Sequence, residues 1–251
     1  MDNQFDKCEK REWFKDWFNS IYYHQLYSNR DFNEANLFLK NLVGFLNLPQ
    51  QSKIWDLACG KGRHAITLNS MGYKVVGTDL SENSIADAAK FANNDLDFFV
   101  HDMRTPNRIN YFDAVFNLFT SIGYFENERD NDKVFSSVFN ALKPGGIFVI
   151  DFFNVTQVIN GLVEKSSIET NNLQFKIEKK ILANRIVKRI EFTDKGHNYY
   201  FEENVALLGL KDFINFASRA GFKLKQVFGD YNLSDFDEQS SDRLILIFNK
   251  L

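Results

Sequence analysis

Residues 53 to 71 constrain the fold of this 251-residue chain more than any other stretch. Lys53 to Leu57 suits a short buried strand, and Gly60 and Gly62 let backbone approach a ligand with no Cβ in the way. Ala65, Leu68 and Met71 then begin an apolar helical face. A strand, a glycine loop and a helix in that order open a nucleotide-type α/β domain. The spacing Gly60-x-Gly62-x-x-Ala65 also fits the dinucleotide fingerprint, so the glycines alone leave the ligand open.

The segments that follow narrow the choice. Tyr73 to Thr78 reads as a second strand ending at Asp79, and Ser81 with Glu82 starts a helix through Phe91 as N-cap and first-turn acid. An acid at a strand's carboxyl end can accept both hydroxyls of a ribose. Leu96 to Val100 is a third strand, followed by Asp102, able to accept from an adenine amino group, and Met103, which offers a soft apolar surface beside a ring. Tyr111 to Leu118 is a fourth strand whose end, at Asn117, opens a loop toward the same crevice. A helix over 127–142 stops at Lys143-Pro144-Gly145-Gly146, and Ile147 to Asp151 is a fifth, wholly apolar strand.

From about Asn172 the period changes to two, as in Ile186-x-Lys188-x-Ile190-x-Phe192 and Tyr199-x-Phe201-x-Glu203-x-Val205. This predicts an insertion of three antiparallel strands, turning near Asn184 and Lys195-Gly196. A helix carrying Leu210, Phe213, Ile214, Ala217 and Ala220 stops at Gly221. Phe222 to Phe228 and Arg243 to Phe248 then form an antiparallel pair, because the loop between them is too short for a parallel crossover. Ahead of the first strand, residues 11 to 47 read as helices, with Trp13, Trp17, Phe18 and Ile21 in one apolar group and Phe38, Leu39, Leu42, Phe45 and Leu46 in another. Between the groups, Tyr22 to Arg30 reads as a polar-tipped aromatic connection from which Tyr23, Tyr27 or Arg30 reaches over the ligand.

Composition excludes other partners. A net charge of −3 recruits neither nucleic acid nor an anionic membrane. No run approaches the ~18 apolar residues of a membrane span, and the N-terminus lacks a signal peptide's character, so a cytoplasmic location is expected. The two cysteines, Cys8 and Cys59, are expected to be reduced, and the four histidines show no metal-ligand spacing. The 27 phenylalanines are spread throughout and mark no single site.

Taken together, Asp56-Leu57-Ala58-Cys59-Gly60-Lys61-Gly62-Arg63-His64, Asp79-Leu80-Ser81, Asp102-Met103, Phe112 to Asn117 and Leu142 to Gly146 resemble the motifs of class I, Rossmann-like S-adenosylmethionine-dependent methyltransferases. The resemblance covers residues 50–150 by motif and 208–250 by pattern. It implies a three-layer α/β fold with a seven-stranded sheet whose last strand is antiparallel. It also implies an N-terminal helical lid over 1–49, a methyltransferase domain over 50–155 and 208–251, and a small antiparallel β insertion over 156–207 above the active site. S-adenosylmethionine would be held by Asp56, Ala58, Gly60, Gly62, Asp79, Leu80, Asp102, Met103 and Asn117, with Tyr23 and Arg30 reaching from the lid, and S-adenosylhomocysteine would leave. Family members with such helices and such an insertion act on small molecules.

The rival reading, an NAD-dependent oxidoreductase, leaves Asp56 without a role. An acid four residues before Gly60 opposes the pyrophosphate of a dinucleotide, whereas it favours a cofactor with an ammonium and a sulfonium. A non-catalytic module that binds the cofactor is the alternative from another class. Methyl transfer needs no metal and no covalent enzyme intermediate; His24, His197, Tyr124 and Glu203 are conceivable bases, and none is singled out. The loop after Asn117 lacks the Pro-Pro-Tyr type of tetrapeptide carried by amino-methylating nucleic-acid enzymes, which favours a small-molecule acceptor. Tyr124, Tyr199 and Glu203 are expected to line its site, and Lys176, Lys179, Lys180, Lys188 and Arg189 offer charge for an acidic substrate. The sequence carries no signal that separates a monomer from a homodimer.

Overall fold

The computed structural model describes residues 13–27 and 32–251. Helices α1 (Trp13–Phe18), α2 (Ile21–Leu26) and α3 (Phe32–Leu46) precede the first strand. The aromatic stretch expected to be a connection is therefore helical up to Leu26. Ser20 caps it, its hydroxyl accepting the Tyr22 N–H at 3.1 Å, a local start signal hidden among the larger rings. Ile21, grouped in sequence with Trp17, lies 64% exposed as the first residue of that helix.

The main sheet comprises β1 (Lys53–Leu57), β2 (Lys74–Asp79), β3 (Leu96–Val100), β4 (Phe112–Asn117), β5 (Leu142–Phe153), β10 (Phe222–Phe228) and β11 (Arg243–Lys250), in the order β10-β11-β5-β4-β1-β2-β3. All neighbours run parallel except β11, which is antiparallel to both β5 and β10. The fold is thus the expected seven-stranded α/β sheet with a reversed last strand. β5 starts earlier than its apolar run: pairing begins at Leu142, and the register with β4 shifts between Phe112 and Ala114, where Pro144 to Gly146 interrupt the ladder.

Strand alternation splits the core into two layers of packing. Trp55, Val115, Phe148, Ile150, Leu246 and Phe248 pack with α6 (Glu128–Ala141) and α8 (Leu210–Ala220), while Ile54, Ala114, Phe116, Val149, Ile245 and Ile247 pack with α3, α4 (Arg63–Ser70) and α5 (Glu82–Ala88). Both faces are buried, which is why β5 and β11 read as continuous apolar runs rather than alternating ones.

After the short helix α7 (Val155–Asn160), a second antiparallel sheet runs β6 (Lys165–Thr170), β7 (Leu173–Leu182), β8 (Arg185–Asp194) and β9 (His197–Ala206) in sequential order. It has four strands, not the expected three. The extra strand, β6, is an edge whose residues are almost all exposed, so its sequence lacks the alternation that betrays a half-buried strand. One face of this sheet, built from Phe175, Ile177, Ile190 and Phe192, packs against Trp17 and Leu26 of α1 and α2. The N-terminal helices therefore share a core with the insertion as well as with the main sheet, which Phe14 joins. Among the described residues no helix is long and apolar enough to cross a membrane.

Candidate active site

At the carboxyl end of β1 the chain enters a loop in which Ala58, Gly60 and Gly62 all take the left-handed region, with φ of 62°, 55° and 81°. The loop is tied to β2 from both sides. The Cys59 N–H donates to the Thr78 carbonyl at 2.9 Å, and the Gly60 N–H donates to Asp79 Oδ2 at 2.8 Å. Asp79 Oδ1 accepts the Ser81 N–H at 2.8 Å, so one carboxylate joins the glycine loop to the start of α5. Burial pushes the Asp79 carboxyl up, against the pull of those N–H donors.

Gly62 is fixed by space as well as by φ. A Cβ there would lie 2.6 Å from the Phe98 ring of β3, too close for any real contact. Gly62→Ala is expected to cost about 2–4 kcal/mol, the sum of left-handed strain and overpacking, measured by urea denaturation. A loss below about 0.5 kcal/mol would show that the loop relaxes freely.

Beneath the loop lies Asp56, 1% exposed, whose Oδ2 has no hydrogen-bond partner among the described residues. Burial pushes its carboxyl up to about 7, only partly opposed by the Ala65 N–H, and the nearby Asp79 charge adds to the rise. A carboxyl at 3.8 in the unfolded chain and about 7 in the folded one makes the native state the stronger proton binder between those values. The stability this provides is complete below about pH 4 and disappears as pH rises through about 7. Between about pH 5 and pH 8 it amounts to about 3 kcal/mol. Asp56→Asn should lose that much less stability over the same interval; equal slopes for the two proteins would contradict the assignment.

A cavity of about 350 Å³ opens over the loop. Of the residues expected to bind ligand, Ala58, Gly60, Asp79, Leu80 and Met103 line it from the main sheet, Tyr23 from α2 and Tyr124 from the loop after β4. Other expected residues lie elsewhere. Asp56, Gly62 and Asn117 sit behind the wall; Asn117 is fully buried and donates from Nδ2 to the Leu57 carbonyl at 2.9 Å, bracing β1 against β4. Asp102 turns away from the cavity to Arg104, whose Nη2 lies 2.6 Å from Oδ2. Burial raises the Asp102 carboxyl, and the Arg104 guanidinium more than reverses that, holding it below the usual carboxylate range.

Tyr199 and Glu203 belong to the interface between insertion and helices rather than to the cavity wall. Tyr199 stacks on Phe192 at 5.1 Å with the rings 8° from parallel. Glu203 accepts from Trp17 Nε1 at 2.8 Å and from the Tyr27 hydroxyl at 2.6 Å. Arg30 lies outside the described residues.

The wall also holds residues that sequence reasoning left without a role. Phe119 stacks on His64 at 5.2 Å and carries the Arg63 guanidinium 4.5 Å from its centroid. Phe119 and Thr120 are consecutive non-glycine residues in the left-handed region, at φ of 61° and 60°. Asp151 holds them there: its carboxylate accepts the Phe119 N–H and its carbonyl the Thr120 N–H, each at 3.0 Å. No local pattern around Phe119 announces this, because the clamp lies on a strand 32 residues away. His24 also faces the cavity, with Nε2 3.4 Å from Ser84 Oγ.

The family described as "Methyltransferase domain" matches residues 54–146, the stretch from β1 to the turn inside β5. Residues 54–146 thus match a methyltransferase domain, set within the class I, Rossmann-like α/β fold described above. Among curated proteins, the putative methyltransferase YqeM of Bacillus subtilis is 38% identical over 108 residues, which are 42% of this chain and 44% of that protein; the match thus spans less than half of the relative's length. Among solved structures, an S-adenosylmethionine-dependent methyltransferase from Clostridium acetobutylicum superposes with a TM-score of 0.77 at 20% identity, covering 91% of this chain and 96% of that one. The sugar N-methyltransferase KedS8 from a Streptoalloteichus species superposes with a TM-score of 0.68 at 19% identity, covering 91% and 92%. These likenesses extend beyond the matched motifs of the methyltransferase domain to the fold of nearly the whole chain.

The site fits S-adenosylmethionine better than a dinucleotide. A buried acid beneath the loop and a second one tied to Gly60 oppose a pyrophosphate, while the Leu80 and Met103 side chains offer apolar surface to a purine.

Proposed function

We propose that this chain transfers the methyl group of S-adenosylmethionine to a small-molecule acceptor, releasing S-adenosylhomocysteine. The observation that carries the reading is Asp79, whose carboxylate fastens the glycine loop while lining the cavity at the end of β2. In this reading Asp79 holds the ribose, Leu80 and Met103 flank the adenine, and Ala58 and Gly60 bring backbone against the methionine portion. Asp56 and Asn117 act from behind the wall, Asp56 through its charge and Asn117 by bracing the strands. Asp102 serves as an adenine partner through its turn rather than a carboxylate already bound to Arg104. The bound cofactor supplies an electrophilic methyl group; the protein supplies alignment and a dry enclosure, and alignment alone contributes on the order of 7–11 kcal/mol.

The acceptor side is formed by α1, α2 and the loop after β4, with Phe18, Tyr23 and Tyr124 on its wall and the insertion behind them. A cavity wall rich in aromatic rings suits a small molecule, and the likeness to sugar N-methyltransferases supports the same class. Of the basic residues expected to draw an acidic substrate, Lys180 pairs with Glu178 at 3.1 Å and Arg189 with Glu202 at 3.5 Å, on the face of the sheet opposite Ile190. We place the reaction in the cytoplasm, where reduced cysteines are expected; Cys8 lies outside the described residues. The test is an acceptor screen over amines, phenols and carboxylic acids read as S-adenosylhomocysteine release. Turnover is expected with a small acceptor, and failure across all classes by protein that binds the cofactor would favour a non-catalytic module instead.

A further inference from the structure

Strand alternation places Lys188 of β8 and Glu203 of β9 on the same face of the insertion as Ile190 and Phe201, and the two are direct cross-strand partners. Their side chains are 13% and 15% exposed, so the charges are largely withdrawn from water. Both meet the hydroxyl of Tyr27, the last residue of the α2 turn and part of the cavity wall. The Lys188 ammonium and the Tyr27 hydroxyl are hydrogen-bonded, the Tyr27 hydroxyl lies 2.6 Å from Glu203 Oε1, and Trp17 Nε1 reaches the same Oε1 at 2.8 Å.

The chemistry of these groups fixes the direction of every bond. An ammonium and an indole N–H only donate, and a carboxylate only accepts. Tyr27 must therefore accept from Lys188 and give its single proton to Glu203. Toward anything else it meets, its oxygen is an acceptor. The arrangement links Tyr27, a residue of the cavity wall, through its hydroxyl to a carboxylate behind that wall, and so gives Glu203 a route to the site without lining it.

We propose that Tyr27 is the residue that receives the acceptor's proton during methyl transfer, passing its own to Glu203, so that the acceptor must present an N–H or O–H. This rests on the methyl-transfer reading above. As the acceptor's lone pair forms the bond to the methyl carbon, the sulfur–methyl bond breaks and its pair stays on sulfur. The acceptor's proton moves to Tyr27 Oη, and the Tyr27 proton moves to Glu203 Oε1, leaving the phenol neutral. Lys188 and Glu203 are positioning residues: one orients the phenol oxygen and the other receives the displaced proton. Phe18, Tyr23 and Tyr124, beside Lys15 and His24 on the same wall, offer aromatic surface to a flat or apolar body around that donor.

The test is binding, by titration calorimetry, to full-length protein saturated with S-adenosylhomocysteine. The probes are phenol against anisole and aniline against N,N-dimethylaniline, pairs that differ by a donor hydrogen replaced with methyl. Wild type is expected to prefer the donor member of at least one pair by about fivefold, the worth of one ordinary hydrogen bond. Tyr27→Phe should bring that ratio to about one, and Glu203→Gln, which leaves the phenol in place with a weaker acceptor behind it, should fall between. Circular dichroism confirms that each variant is folded. The assignment is overturned by an equal ratio in wild type, by an undiminished ratio in both variants, or by failure of every probe to bind. If wild type binds these probes but not S-adenosylhomocysteine, the methyl-transfer reading itself fails and takes this assignment with it; cofactor binding without discrimination removes only the role of Tyr27.

Discussion

Asp79→Ala is expected to weaken S-adenosylhomocysteine binding by about 100-fold and to lower stability as well, because the carboxylate has two tasks. It accepts the Gly60 and Ser81 N–H groups, both at 2.8 Å, and in the proposed function it also holds the ribose hydroxyls. Hydrogen bonds to a charged group contribute about 1.5–3 kcal/mol each, and alanine leaves the two N–H donors without their acceptor. The glycine loop then loses its tie to α5 just where the cofactor must seat. Asp79→Asn keeps an oxygen of similar position, so it should retain most of the stability while recovering only part of the affinity. Calorimetric titration with S-adenosylhomocysteine, with thermal unfolding alongside, separates the two effects. An affinity within about threefold of wild type would show that the ribose is held elsewhere.

Arg243→Met is expected to cost about 3–5 kcal/mol of folding stability, the effect of stranding a buried charge. Asp151 is completely buried, and its carboxylate accepts from Arg243 Nε at 2.8 Å, the Tyr231 hydroxyl at 3.2 Å and the Phe119 N–H at 3.0 Å. With Arg243 gone, the carboxylate keeps two neutral donors and no countercharge among the described residues. The Asp151→Asn, Arg243→Met double variant should recover much of the loss, since it removes the charge that was stranded. Because Asp151 also holds Phe119 and Thr120 in the left-handed region, the single variant should bind S-adenosylhomocysteine less tightly as well. Urea denaturation of the three proteins gives the answer, and a loss below about 1 kcal/mol would mean that the pair contributes no more than an exposed ion pair.

How much of this was legible in the sequence follows from the range of the interactions. Strands buried on both faces announced themselves: β1, β4, β5 and β11 are apolar because helices cover both sides of the sheet, and the short loop between β10 and β11 announced the reversed last strand. Asp79, Leu80 and Met103 were readable as wall residues because strand ends in such a sheet converge on one crevice. Edge strand β6 was not, since exposure on both faces erases alternation. The same limit applies to partnerships that span the chain. Nothing near Asp102 reveals whether its carboxylate turns to a ligand or to Arg104 two residues on, and nothing near Glu203 reveals that Trp17 and Tyr27, 186 and 176 residues earlier, claim it first. Asp56 was recognised by its position before the glycines. Its burial, and the rise of its carboxyl toward neutrality, required the three-dimensional neighbours that exclude water.

The most direct test of the account is calorimetric titration of the wild-type chain with S-adenosylmethionine, S-adenosylhomocysteine and NAD, each followed by thermal unfolding. The account predicts saturable binding of the two sulfur nucleosides at one site, and stabilisation by about 2.7 kcal/mol at about 100 times the dissociation constant. Binding of NAD with no response to either sulfur nucleoside would contradict it.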